Sequence, residues 1–221
     1  PTRWLTFGAV GFVFSTQALA APLVEACDAL PVKLAQLPHL SQTQAELVKE
    51  GALSVGAQVV PAHCRVTGKL HERTSSVDGK AYAIGFEMRL PVNWNGRFLH
   101  QGNGGIDGVV QPALGGLGGG PLSHALQQGF AVLSSDAGHS GANPAFGVDP
   151  QARLDYGYQA VGKLTPMAKA VIATAYGKGP DKSYFAGCSN GGRHAMVAAT
   201  RYFADYDGIR SEERRVGKEC L

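Results

Sequence analysis

The fold of this 221-residue chain is decided by one stretch, Ser183-Tyr184-Phe185-Ala186-Gly187-Cys188-Ser189-Asn190-Gly191-Gly192-Arg193. Residues 182–186 are predicted to form a short strand, and residues 193–202 are predicted to form a helix. Between them, two glycines flank Ser189 in the pattern G-x-S-x-G. The stretch therefore predicts a strand, a tight turn centred on Ser189 and a helix.

A serine in such a turn is presented for nucleophilic chemistry. The strained turn pushes the hydroxyl of Ser189 out above the sheet, and Gly187 and Gly191 let strand and helix pack closely. The backbone N–H of Asn190 would then face a developing oxyanion, at the positive end of a helix dipole. The alternative is a glycine-rich turn in which Ser189 only caps a helix, although capping requires neither flanking glycine.

The rest of the chain alternates strands and helices around a glycine-rich segment, residues 102–120. This order predicts an α/β fold, a mostly parallel sheet with helices on both faces. The residues Ile84, Phe86, Met88 and Leu90 fall on one face of their strand. The predicted strands are residues 54–60, 64–70, 81–90, 97–101, 130–135 and 182–186, and the predicted helices are residues 42–49, 122–128, 154–176 and 193–202.

Composition and charge describe an ordinary folded protein and give no indication of nucleic-acid binding. Hydrophobic residues make up 44% and charged residues 17%, and the net charge of +3 is not gathered in a patch. Residues 1–20 are typical of a signal peptide, with Arg3, a short apolar run and Ala18-Leu19-Ala20 as cleavage site. We therefore expect a secreted or periplasmic protein without a membrane anchor after cleavage.

The four cysteines fit an oxidising compartment and not a metal site. Cys27 and Cys64 flank a segment with little else to hold it, so we expect them to form a disulfide worth about 3–4 kcal/mol. None of the cysteine spacings matches a zinc site. The sequence predicts no bound metal and no cofactor.

Several separated segments together resemble the tannase and feruloyl esterase family. They occur in the order of the family's signatures and cover roughly residues 27 to 209. The segments are L-P-V-N-W-N-G-R-F (residues 90–98), G-N-G-G (102–105), S-D-A-G-H (135–139), G-C-S-N-G-G-R (187–193) and Y-D-G-I (206–209).

The resemblance implies an α/β-hydrolase fold and a serine esterase whose small-molecule substrates are aromatic acid esters such as feruloyl or galloyl esters. It implies that Ser189 is the nucleophile and that its aspartate and histidine partners lie far downstream. The oxyanion hole would combine the N–H of Asn190 with that of Gly104 or Gly105. Cys188 would form a disulfide to a cysteine beside the catalytic histidine, and an inserted lid would hold a calcium ion.

The resemblance stops after Ile209. Residues 210–221 instead resemble the translation of a widely used sequencing adapter, so we expect a non-native tail there. The domain prediction is a signal peptide at 1–20, part of a catalytic domain at 21–209 and the tail at 210–221. The fold would then be truncated after the nucleophile helix, without the lid, its calcium site or the partner of Cys188, and this fragment would be inactive.

Two histidines of this chain, His139 and His194, are alternative candidates for the catalytic base. His139 precedes the serine, whereas the base of α/β-hydrolases follows it, so we expect His139 to be structural. His194 lies on the helix after the serine, and we expect it to point away from the mouth of the site. The alternatives for the protein are a non-catalytic exported binding protein on this scaffold, or an esterase of aliphatic or polyester substrates.

Overall fold

The computed structural model describes residues 27–116 and 124–212. The predicted signal peptide and residues 213–221 of the predicted tail lie outside these ranges. The described residues form a seven-stranded sheet and a separate two-stranded hairpin. Ser189 directly follows one of the parallel strands, at the edge of the sheet where these strands have their carboxyl ends. The sheet is therefore the scaffold of the candidate site.

The large sheet has the strand order β1-β4-β5-β7-β6-β8-β9, and the hairpin is β2-β3. The ladders of β7 with β6, β6 with β8 and β8 with β9 are parallel, and the remaining three are antiparallel. Only β1 and β5 therefore run against the other strands. The strands are β1 (Leu40–Val48), β2 (Ser54–Val55), β3 (Gln58–Val59), β4 (His63–Thr74), β5 (Ala81–Pro91), β6 (Arg97–Gly102), β7 (Ala131–Ser135), β8 (Lys182–Cys188) and β9 (Gly208–Glu212).

Two of the four predicted helices are confirmed, residues 154–176 and 193–202, although the first of them is irregular. A π-helical segment, Asp155–Gln159, joins an α-helix that ends at Leu154 to the one that begins at Ala160. Gly177 ends the long helix in the left-handed conformation that suits glycine. None of the helices in the described residues is long and apolar enough to cross a membrane. The helices are α1 (Leu30–Leu34), α2 (Pro150–Leu154), α3 (Ala160–Tyr176) and α4 (Asn190–Arg201).

The main core lies between one face of the sheet and the helices α1 and α3. The predicted face of β5 is confirmed, because Ile84, Phe86, Met88 and Leu90 are all buried there. A second cluster on the opposite face is covered by loop residues such as Ala113 and by no helix within the described ranges. The α/β-hydrolase fold class is confirmed, with the parallel strands concentrated around β8.

Three local predictions are wrong. Residues 42–48 of the predicted helix 42–49 belong to edge strand β1, because pairing with β4 outweighs their modest helix preference. Residues 54–60 form a hairpin rather than one strand, with Gly56 at positive φ in its turn. The described part of the predicted helix 122–128 is a turn that ends at Gly129.

The last strand runs beyond the predicted end of the native chain. Strand β9 continues to Glu212, and its residues 210–212 pair with the last three residues of β8. Backbone pairing depends little on side-chain identity, so an edge strand accepts many sequences. The boundary predicted at residue 209 therefore does not coincide with the end of a structural element.

Candidate active site

Ser189 sits in a strained turn between β8 and α4, as the sequence predicts. Its backbone has φ 58° and ψ −121°, a conformation that costs a non-glycine residue about 1–3 kcal/mol. The residue is exposed, and its N–H donates to the carbonyl of Glu212 at 2.8 Å. The packed strand and helix on either side maintain this strain, which presents the hydroxyl to solvent.

The capping alternative for Ser189 has no support in this geometry. The side chain of Ser189 makes no capping hydrogen bond to the first turn of α4, whose residues the structure describes in full. The hydroxyl oxygen of a serine that served as an N-cap would accept a hydrogen bond from a backbone N–H two or three residues later. The turn therefore exposes the hydroxyl of Ser189, and this side chain does not cap α4.

Glycines are required on both sides of the turn because backbone meets backbone there. A Cβ on Gly187 would lie 2.5 Å from the carbonyl carbon of Gly191, and a Cβ on Gly102 would lie 3.0 Å from the Cα of Gly191. Real Cβ atoms do not approach so closely. Three chain segments, β6, β8 and α4, thus converge on Gly191 directly beneath Ser189.

The glycine loop that follows β6 lies beside the nucleophile turn. Because β6 and β8 are parallel neighbours, their carboxyl ends meet at the same edge of the sheet. A Cβ on Gly104 would lie 3.9 Å from the carbonyl oxygen of Cys188, and Gly105 adopts a φ of 68° with open space around it. The structure therefore places Gly104 against the end of β8, next to the nucleophile turn, with Gly105 beside it in the chain.

The start of that loop is fixed to the neighbouring strand. Asn103 is buried, and its side-chain amide donates to the hydroxyl of Ser134 at 3.0 Å and to the carbonyl of Ser135 at 2.7 Å. These bonds tie the residue before Gly104 to the end of β7. The loop is therefore held by β7 on one side, in addition to its contact with the end of β8 on the other.

The side chain of Asn190 is held by three neighbours that the sequence analysis did not single out. Its Nδ2 donates to Asp107 Oδ2 at 2.6 Å. Its Oδ1 accepts from the hydroxyl of Tyr156 at 3.1 Å and from Nε of Arg193 at 2.8 Å. Arg193 also donates to the carbonyls of Tyr156 and Gly157, which belong to the π-helical segment.

His194 points into the protein and contacts the glycine loop. Its Nε2 lies 2.8 Å from Oδ2 of Asp107, and the two side chains are only 5% and 2% exposed. The buried ring agrees with the expectation that His194 points away from the mouth of the site, and its contact with Asp107 was not predicted. Position 194 faces inward since one further helical turn returns it to the side of Asn190.

His139 and Asp136 lie at the carboxyl end of β7 and are packed, as expected for structural residues. The ring of His139 is buried and stacks on Phe146 with centroids 3.7 Å apart, and burial lowers the pKa of His139. Burial also raises the pKa of Asp136 to about 7, despite N–H donation to its Oδ1 from Gly85 and Gly138. No hydrogen bond joins His139 to Ser189 within the described residues.

The cysteines stabilise two different regions. Cys27 and Cys64 form the predicted disulfide, with Cα atoms 5.7 Å apart, in the core beside α1. Cys188 is half-buried at the end of β8 and is disulfide-bonded. The prediction about the identity of its partner falls on residues outside the described ranges.

The family follows from a comparison with known protein families. The model of the family described as "Tannase and feruloyl esterase" matches residues 64–213, well over half of the chain. The chain belongs to the tannase and feruloyl esterase family. The match covers the glycine loop, the nucleophile turn and α4, and it extends four residues beyond Ile209 into the predicted tail.

Individual members of this family are similar to the chain over most of its length. A mono(2-hydroxyethyl) terephthalate hydrolase of Piscinibacter sakaiensis is 44% identical over 165 residues, which are 71% of this chain and 27% of that protein. A probable feruloyl esterase B-2 of Aspergillus flavus is 36% identical over 66% of the chain and 26% of its own length. The chain thus spans about a quarter of the length of these relatives.

Solved structures agree with the fold. Feruloyl esterase B from Aspergillus oryzae superimposes with a TM-score of 0.69 at 27% identity, over 84% of this chain and 36% of that one. A tannin acyl hydrolase from Aspergillus niger gives a TM-score of 0.63 at 22% identity and supports the fold alone. These relatives and neighbours are carboxylic ester hydrolases.

Proposed function

We propose that the whole protein, by which we mean the product of the complete gene, is an exported serine esterase that hydrolyses aromatic acid esters. The observation that carries the proposal is the strained, exposed Ser189 beside Gly104 and Asn190. A hydroxyl and two backbone donors at one edge of a sheet are the arrangement that acyl transfer needs. Membership of the tannase and feruloyl esterase family supports the same reaction.

The reaction would proceed through an acyl-enzyme. Oγ of Ser189 attacks the ester carbonyl and loses its proton to a base, and the N–H of Asn190 with that of Gly104 or Gly105 stabilises the oxyanion. The alcohol leaves with a proton, and water then releases the acid in the reverse sequence. Since the base of α/β-hydrolases follows the serine in the chain, a downstream histidine would serve.

The second part of the proposal is that these 221 residues alone do not turn over substrate, because the base lies downstream. In residues 27–116 and 124–212, no histidine is hydrogen-bonded to Ser189, and His194 is bonded to Asp107 instead. We therefore expect the 221-residue chain, expressed alone, to lack turnover. A serine hydrolase deprived of its base loses most of its rate, by about 10⁶-fold in the best-studied protease.

The substrate class rests on the names of two relatives. One acts on mono(2-hydroxyethyl) terephthalate and another is described as a feruloyl esterase, and both names denote esters of an aromatic acid. Export is supported by the signal-like residues 1–20 and by the Cys27–Cys64 disulfide, which persists in oxidising compartments.

The proposal is tested by Ser189→Ala in the whole protein, with methyl ferulate, methyl gallate and p-nitrophenyl butyrate as substrates. We expect preference for the two aromatic acid esters and a loss of at least about 10³-fold in kcat for Ser189→Ala. The matched control is Ser54→Ala, an exposed serine in the hairpin, which should keep full activity. Retained hydrolysis in Ser189→Ala would refute the nucleophile.

A fluorophosphonate reagent separates the enzyme from the binding-protein alternative. The reagent should label Ser189 in the whole protein, since it requires an activated serine rather than substrate recognition. No labelling and no hydrolysis in the intact protein would favour a non-catalytic binding protein. Preference for the aliphatic ester would keep the esterase and overturn the aromatic substrate class.

A further inference from the structure

The two donors of the proposed oxyanion hole come from separate parts of the chain. Asn190 begins α4, whereas Gly104 and Gly105 belong to the loop after β6. Backbone donors stabilise an oxyanion only if they converge on one point, and an error of about 1 Å costs about 100-fold in rate. Some contact must therefore fix the loop relative to the helix.

Asp107 makes that contact. It lies two residues beyond Gly105, with a left-handed φ of 56°, and its side chain is 2% exposed. A single oxygen, Oδ2, accepts from Nδ2 of Asn190 at 2.6 Å and lies 2.8 Å from Nε2 of His194. A carboxylate only accepts, so this contact is a hydrogen bond in the tautomer of His194 that carries its proton on Nε2.

The remaining contacts of Asn190 leave its side chain no second orientation. Its Oδ1 accepts from Tyr156 and Arg193, so an exchange of oxygen and nitrogen would place the amide nitrogen against the N–H of Arg193 and the amide oxygen against the carboxylate of Asp107. The amide is thereby fixed at both ends. Since the side chain and the N–H share one Cα, this also fixes the direction of the backbone donor.

We propose that Asp107 is a positioning residue for the oxyanion hole, which it assembles by binding the Asn190 side chain to the glycine loop while His194 holds the carboxylate in place. Asp107 itself does not touch the substrate. This inference rests on the proposed esterase function. It gives two buried residues outside the nucleophile turn, Asp107 and His194, a role in positioning the oxyanion hole.

The first test compares Asp107→Ala with Asp107→Asn in the whole protein. Alanine removes both bonds, and we expect kcat to fall about 10- to 100-fold with little change in KM. Asparagine keeps one oxygen that accepts from both Asn190 and His194, so it should restore kcat to within about threefold. Rates are expressed per active site, counted from the endpoint of fluorophosphonate labelling, so that misfolded protein does not enter the comparison.

A double-mutant cycle keeps the proposal testable if Asp107→Ala folds poorly. Asn190→Ala retains the backbone donor and loses only the side-chain contacts, so it should lower kcat by a similar factor. If the two residues act through one bond, the double variant is no slower than the slower single variant. Losses that multiply would overturn the proposal.

Asp149→Ala is the matched control, because Asp149 is another buried, hydrogen-bonded carboxylate that caps α2 and pairs with Arg73. It should lower the unfolding midpoint and leave kcat per active site unchanged. If Asp107→Ala behaves in the same way, Asp107 has a structural role only and the inference is wrong. If Ser189→Ala keeps its activity in this assay, the proposed function itself fails, which is a separate result.

Discussion

Gly187 and Gly191 approach each other so closely that a Cβ on Gly187 would lie 2.5 Å from the carbonyl carbon of Gly191. The end of β8 and the first turn of α4 therefore touch through their backbones alone. Neither partner is a flexible side chain that moves aside at little cost. The geometry of the nucleophile turn thus depends on two positions that have no side chain.

Alanine at either position should lower stability and disturb the turn. We expect Gly187→Ala and Gly191→Ala each to lower the free energy of unfolding by about 1–3 kcal/mol, because the clash moves backbone. The measurement is denaturant unfolding of the whole protein. Gly179→Ala is the control, since a Cβ there meets nothing within 4 Å. Equal stability of Gly191→Ala and Gly179→Ala would contradict the close contact.

The raised pKa of Asp136 predicts a pH-dependent stability. Burial raises this pKa from 3.8 to about 7, so the folded state binds the proton more tightly than the unfolded state. The resulting contribution is fully present below about pH 4 and is lost as the pH rises through about 7. It amounts to at most about 4 kcal/mol.

Asp136→Asn isolates this contribution. Asparagine does not titrate and keeps an oxygen for the N–H groups of Gly85 and Gly138. The wild-type protein should therefore lose stability relative to Asp136→Asn between pH 4 and pH 8. The difference is measured by denaturant unfolding at several pH values, and a constant difference across that range would show that Asp136 does not titrate there.

Loss of the Cys27–Cys64 disulfide should destabilise the protein without affecting the site directly. The bond joins residues 37 positions apart. In the chain-entropy model, the double variant Cys27→Ser/Cys64→Ser should lose about 3–4 kcal/mol. Variants are preferable to a reductant because Cys188 is also disulfide-bonded. An unchanged unfolding midpoint would mean that the surrounding core suffices to hold α1.

Arg193 should not be replaceable by lysine. Its guanidinium donates to Asn190 and to the carbonyls of Tyr156 and Gly157, and its centre lies 4.4 Å from the Tyr156 ring centroid. An ammonium does not reproduce this planar set of donors. We expect Arg193→Lys to cost about 1–3 kcal/mol in unfolding free energy.

The control for Arg193 lies on the same helix. Arg201 also stacks over a tyrosine ring, that of Tyr158, at 4.4 Å, but it is exposed. Arg201→Lys should therefore change stability by less than about 1 kcal/mol. Similar losses for the two variants would show that stacking, and not the carbonyl contacts, is what Arg193 contributes.

The nucleophile turn was predictable because its constraints are local. Strand, glycines, serine and helix follow one another within residues 182–202, and each restricts the backbone of its neighbours. Edge strand β1 was not predictable in the same way. Its partner β4 supplies the hydrogen bonds, and residues 42–49 alone include good helix formers. Whether residues 42–48 form a strand or a helix depends on their pairing with β4, and this pairing cannot be inferred from the local sequence.

The contact between Asp107 and Asn190 was missed for the same reason. The two residues are 83 positions apart, and only the folded sheet brings the ends of β6 and β8 together. One signal was present in the sequence. An aspartate within a glycine loop, with an asparagine and a histidine one helical turn apart after the serine, supplies a buried acceptor and its donors.

In the loop after β6, a fixed segment that ends at Gly108 is followed by exposed residues at 109, 111 and 112 before the chain is buried again at Ala113, which matters for any attempt to change substrate range in the laboratory. Asp107 and Gly108 are buried, and Gly108 exchanges backbone bonds with Asp136 and Gly141, whereas Val109 next to them is 51% exposed. Randomisation of the exposed positions 109 and 111 would sample new surfaces while it conserves the catalytic geometry. Randomisation that includes position 107 would mostly return clones with a lower kcat.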